Sequence, residues 1–102
     1  MPVMRMKKES ASPVQRVKDE ARRRIVAAVG PEWKQFNLMA RAVELLMRES
    51  RGVITPPQAM EFQRIMDVWD WVKAVRAASA ALEASRPADY RDNRHWPPPP
   101  GA

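Results

Sequence analysis

The sequence contains no cysteine, a single histidine (His95) and only three glycines among 102 residues. Without cysteine there is no disulfide and no thiolate metal site, which suits a reducing cytoplasm or a particle assembled in one. One histidine, set in a proline-rich segment with no base or nucleophile at a predictable distance, supports no catalytic triad. No apolar run approaches the roughly 20 residues that span a bilayer; the longest nearly apolar stretches are Ile25 to Val29 and Ala77 to Leu82. The early charges Arg5, Lys7 and Lys8 are followed by no apolar region, so no signal peptide is expected. Strand-type alternation is also missing. These absences leave one small helical domain, expected to be non-enzymatic and to hold no metal or cofactor.

Charge is present in excess and unevenly placed. The net charge is +6, of which residues 1–24 carry +5 and everything after them +1. Such a basic head on a nearly neutral body can meet nucleic acid, an anionic surface or an acidic partner. Its densest part, Arg22, Arg23 and Arg24, is the candidate contact to nucleic acid or to an acidic partner. Three successive helical residues fan around the axis, so they cannot all enter one groove. No helix-turn-helix is apparent, and no aromatic residues interleave with the basic ones for base stacking.

Local signals place three helices at about 13–29, 31–50 and 56–85. Ser12-Pro13-Val14-Gln15 has capping-box spacing with proline at the first helical position, and Val14, Val17, Ala21, Ile25 and Ala28 follow on one face. Gly30 supplies the stop and Pro31 the next start, implying a sharp corner. In the second helix Trp33, Phe36, Met39, Ala40, Val43, Leu46 and Met47 make a broad apolar face. Leu38, Ala42 and Leu45 extend it, so this helix is expected to be buried on more than one side. Thr55-Pro56-Pro57-Gln58 repeats the start signal. The third helix is the longest, roughly 43 Å against roughly 30 Å for the second. Its last turns are rich in alanine and can approach the first helix or another chain closely. Residues 1–11 read as a loose basic arm, 12–86 as the helical domain, and 87–102 as an extended tail ending in four prolines.

Apolar stripes then assign the aromatics. Trp33, Phe36 and Trp69 lie on the main stripes and are expected in the core. Trp71 lies about 160° around the helix from Trp69, on the side of Met60, and reads as an exposed interface anchor. Tyr90, Trp96, Pro97 and Pro98 form a ring-rich strip that is expected to be captured by a neighbouring chain, because proline has little backbone freedom left to lose. Met60, Trp71, Ala78, Tyr90, Trp96, Pro97 and Pro98 are thus the candidate partner contacts. Replacing Trp71, or removing residues 87–102, is expected to weaken assembly while leaving the helices intact. Asp67 and Asp70 share a helix face, yet a lone carboxylate pair lacks the oxygens calcium needs; pairing of Asp70 with Lys73, and of Glu20 with Arg23 or Arg24, is the expected use of these charges.

Three runs are distinctive. They are Pro31-Glu32-Trp33-Lys34-Gln35-Phe36-Asn37 with Ala40-Arg41-Ala42-Val43-Glu44-Leu45; Trp69-Asp70-Trp71-Val72-Lys73-Ala74-Val75-Arg76-Ala77-Ala78-Ser79; and Pro87-Ala88-Asp89-Tyr90 with Trp96-Pro97. Together, from about Val17 to Pro97, they resemble a short helical module found in reading frames of tailed bacteriophages and prophages, beside tail-fibre, baseplate or tail-assembly proteins. The resemblance implies a structural or assembly component of a phage tail, made in the host cytoplasm and located in the virion. It would dock on other tail proteins or identical subunits, with no membrane contact. The module brings no catalytic residues with it. The alternative reading is a small basic nucleic-acid-binding or regulatory phage protein.

Overall fold

The computed structural model describes residues 12–101; the basic arm expected over residues 1–11 lies outside them. The described residues form three helices and no strand: α1 (Pro13–Val29), α2 (Glu32–Ser50) and α3 (Pro56–Ser85), followed by a 3-10 turn at Asn93–His95.

Each boundary has a local cause. Ser12 Oγ accepts the Gln15 backbone N–H at 3.1 Å, and Pro13 occupies the first turn of α1. At Thr55 both halves of the capping box are made: its Oγ1 accepts the Gln58 N–H at 3.3 Å, and Gln58 Oε1 accepts the Thr55 N–H at 3.0 Å. Gly30 makes the α1–α2 corner at φ 114°, a conformation that disfavours any side chain, and an added Cβ would meet Lys34 Cδ at 2.8 Å. Pro31 stands just before α2 rather than inside it, its carbonyl accepting the Lys34 and Gln35 N–H groups. Arg86 ends α3 in the left-handed region, at φ 53° and ψ 50°.

α3 is the spine. α1 packs along it and α2 packs beside it, whereas α1 and α2 meet only around their corner. The main core joins Val17, Ala21 and Ile25 of α1 to Trp71, Val72, Val75 and Leu82 of α3, with Trp96 from the tail closing it. Leu45 of α2 and Ile65 of α3 are buried apart from that cluster. The shape is long and thin: the principal extents are 58 × 33 × 20 Å and the Cα radius of gyration is 17.6 Å. A compact chain of this length would have about 13 Å. One core therefore serves only part of the molecule.

The tail is not extended. After Arg86 it turns at residues 88–91, forms the 3-10 turn, and lies back on α1 and α3. The expected extended segment is thus a hook. Its reason is the burial of Trp96, which needs both the apolar floor of α3 and a partner for its indole N–H.

Candidate functional site

Four aromatic residues, Trp71, Trp96, Trp33 and Phe36, occupy the reverse of their expected positions. Trp71 is only 7% exposed and sits in the main core. It belongs to a stripe with Val75, Ala78 and Leu82, spaced four, seven and eleven residues on, which faces α1. Its Nε1–H donates to the Pro97 carbonyl at 3.0 Å. Trp96 is 5% exposed and donates to the Tyr90 carbonyl at 2.7 Å. The reading of Trp71 and Trp96 as contacts to a partner is therefore corrected: each is covered by the chain's own helices and tail. Tyr90 and Ala78 are half-buried against the same core. Pro97 is half-buried, and Pro98 and Met60 are exposed. For the same reason, replacing Trp71 or removing the tail opens the core rather than only an outer surface.

Arg24 holds the hook from the α1 side. Its guanidinium lies 5.1 Å from the Trp96 ring centroid. Its Nη2 donates to the Arg91 carbonyl at 2.7 Å and to Asn93 Oδ1 at 3.0 Å. Its Nε donates to Glu20 Oε2 at 2.8 Å, and Arg23 Nε to Glu20 Oε1 at 3.0 Å. Hydrogen bonding from Arg23, ahead of that from Arg24, holds the buried Glu20 carboxyl below its ordinary range despite the desolvation that opposes it. Arg22 pairs with Glu32 at 3.2 Å across the α1–α2 corner. All three arginines of the basic run thus have partners within the chain. In the tail, Asp89 accepts from His95 Nε2 at 2.9 Å and pairs with Arg94. The bond from His95, then the charge of Arg94, lowers the Asp89 carboxyl. His95 thereby ties down the 3-10 turn. The pairs expected on the helix surfaces are present, including Lys73 with Asp70 at 3.3 Å.

Most of the exposed large apolar side chains among the described residues are on α2. Trp33 is 63% and Phe36 71% exposed, and Met39, Val43, Leu46 and Met47 are exposed beside them. The expectation that Trp33 and Phe36 build the core is corrected; Trp69, half-buried against the core, keeps its expected place. What α2 turns inward is its narrower side, where Leu45 is fully buried with Leu38 and Ala42 half-buried beside it. Two polar clamps fix that rotation. Arg41 Nε and Nη2 donate to the two Glu61 oxygens at 2.8 and 2.9 Å, and Gln35 Nε2 donates to the Gly30 carbonyl at 2.8 Å. The Arg41 guanidinium, hydrogen-bonded to Glu61, lowers that carboxyl in turn. Between α2 and α3 an open cleft continues the exposed face, lined by Phe36, Met39 and Trp69 with Glu32, Lys73 and Arg76 at its rim.

No described helix is long and apolar enough to cross a membrane. Comparison with protein-family models, with curated proteins and with solved structures yields no match to this chain.

Proposed function

We propose that the chain is a non-enzymatic docking component that joins an assembly through the outer face of α2. One observation carries this reading: six large apolar side chains of α2 point to solvent although the chain has a closed core elsewhere. Monomeric proteins rarely leave so much contiguous apolar surface uncovered, and an exposed patch of that size marks a binding site. The resemblance of its three sequence runs to the helical module of tailed phages supplies the setting, a virion tail or its assembly.

The test is mass spectrometry of purified virions from a lysogen carrying the reading frame, with wild type and Phe36→Glu compared. Wild type is expected in the particle at a fixed copy number and the variant strongly depleted. Absence of the wild-type chain from particles and from tail-assembly intermediates refutes the tail assignment. Normal incorporation of Phe36→Glu refutes docking through α2. The nucleic-acid reading ranks second, because Arg22, Arg23 and Arg24 are engaged with Glu32, Glu20 and the tail. It predicts binding that weakens steeply with salt.

A further inference from the structure

We infer that the polypeptide covering the outer face of α2 is a second copy of this chain, its α2 packed antiparallel about a two-fold axis between Ala40 and Val43. This rests on the docking reading above and names the partner.

Spacing gives the first argument. Trp33, Phe36, Ala40, Val43, Met47 and Ser50 recur at alternating steps of three and four, the seam of a paired helix. Leu38 and Leu45, which α2 buries within its own chain, lie on the opposite side of the helix from that seam, so one helix serves both contacts. Met39 and Leu46 widen the seam to roughly 140° of the helix surface. No charged side chain interrupts it between Phe36 and Met47.

Self-complementarity gives the second. A two-fold interface must fit the same patch against itself. When α2 is paired with its own reverse, Phe36 falls level with Met47, Trp33 with Ser50, and Ala40 with Val43. Large groups then face smaller or flexible ones, and the two smallest apolar residues meet at the axis, where the helices approach most closely. A parallel pair would instead set Trp33 on Trp33 and Ala40 on Ala40, with a gap at mid-helix.

Charge gives the third. The antiparallel arrangement brings the Glu32 end of one helix level with the Arg51 end of the other and opposes the two helix dipoles. The parallel one would set like ends together, Glu32 level with Glu32 and Arg51 with Arg51, and align the two helix dipoles.

Area gives the fourth. From their exposures, the six large side chains present on the order of 600 Å² of apolar surface per chain. Two such faces remove on the order of 1,200 Å², where stable specific interfaces begin.

Sedimentation equilibrium on the full chain tests the pairing, and disulfide capture tests its direction. The wild type is expected to reach twice the 11.7 kDa chain mass at tens of micromolar, and Phe36→Glu to remain at the single-chain mass with unchanged far-UV circular dichroism. Because the chain has no cysteine, single-cysteine variants report direction cleanly. Phe36→Cys mixed with Met47→Cys is expected to give mainly the mixed disulfide. A wild type at single-chain mass up to about 100 µM overturns the second-copy inference. If Phe36→Glu is still lost from particles in that case, docking on a different protein survives. Predominant Phe36–Phe36 cross-linking overturns the antiparallel register.

Discussion

Replacing Trp96 with alanine should cost this protein a large part of its stability. The side chain is 5% exposed, closes the core formed by Val17, Ala21, Ile25 and Val75, and carries Arg24 on its ring. Truncation removes an aromatic contact area of roughly 150–250 Å², worth about 4–6 kcal/mol at 25 cal/mol per Å². Core tryptophan-to-alanine changes measure about 3–5 kcal/mol. A chain of this length has roughly 5–15 kcal/mol in total. A loss of about 3 kcal/mol lowers Tm by about 12–24 °C at this size. Urea and thermal unfolding followed by far-UV circular dichroism, at low micromolar concentration to hold association constant, give the value. Phe36→Ala is the control: being 71% exposed, it should move stability by no more than about 0.5 kcal/mol. A Trp96→Ala protein within that same 0.5 kcal/mol of wild type would refute the hook as part of the core.

Three further outcomes follow from the geometry. Trp71→Phe keeps most of the packing but strands the Pro97 carbonyl, and should cost about 1–3 kcal/mol in urea unfolding. Glu20→Gln should be less stable than wild type near neutral pH. The folded carboxyl titrates below its ordinary value of 4.5, so its contribution is present above that value and is lost as pH falls through the folded one. The Tm difference between the two proteins should therefore close in acid, and a difference that widens on acidification counts against the Glu20–arginine cluster. Arg86→Gly relieves the left-handed cap at φ 53° and should raise stability by a few tenths to about 1 kcal/mol, read as an upward shift of the urea midpoint; a lowered midpoint would show that the Arg86 bond to the Glu83 carbonyl matters more.

Features set by neighbours in sequence were legible before the structure. The caps at Ser12 and Thr55 and the Gly30 corner depend on residues within four positions, and the helix ends fall within a residue or so of where those signals put them. Which face of a helix turns inward was much less so. α2 is apolar around most of its circumference, and its largest side chains, Trp33 and Phe36, mark the wider apolar side, which is not the one turned inward. The inward side is the one where Leu45 is buried, with Arg41 paired to Glu61, twenty residues apart, beside it. Trp71 was legible in principle, since Val75, Ala78 and Leu82 continue its stripe, but Trp69 on the opposite side offered a competing one. The indole bonds that hold the hook run to carbonyls of the chain's own tail, up to 26 residues away. Such pairings appear only once the chain has folded back, so the spacing of rings and prolines along the tail does not reveal them.

The contrast between the buried Trp71 and Trp96 and the exposed Trp33, with Trp69 intermediate, gives the protein two built-in optical channels. Trp71 and Trp96, shielded and hydrogen-bonded, should emit toward the blue and resist acrylamide until the chain unfolds. Trp33, beside Lys34 on the outer face of α2, should emit toward the red and be quenched freely. Folding and partner capture are thereby separable by emission wavelength in the unlabelled wild type, and a blue shift of the quenchable fraction alone would time the arrival of whatever settles on α2.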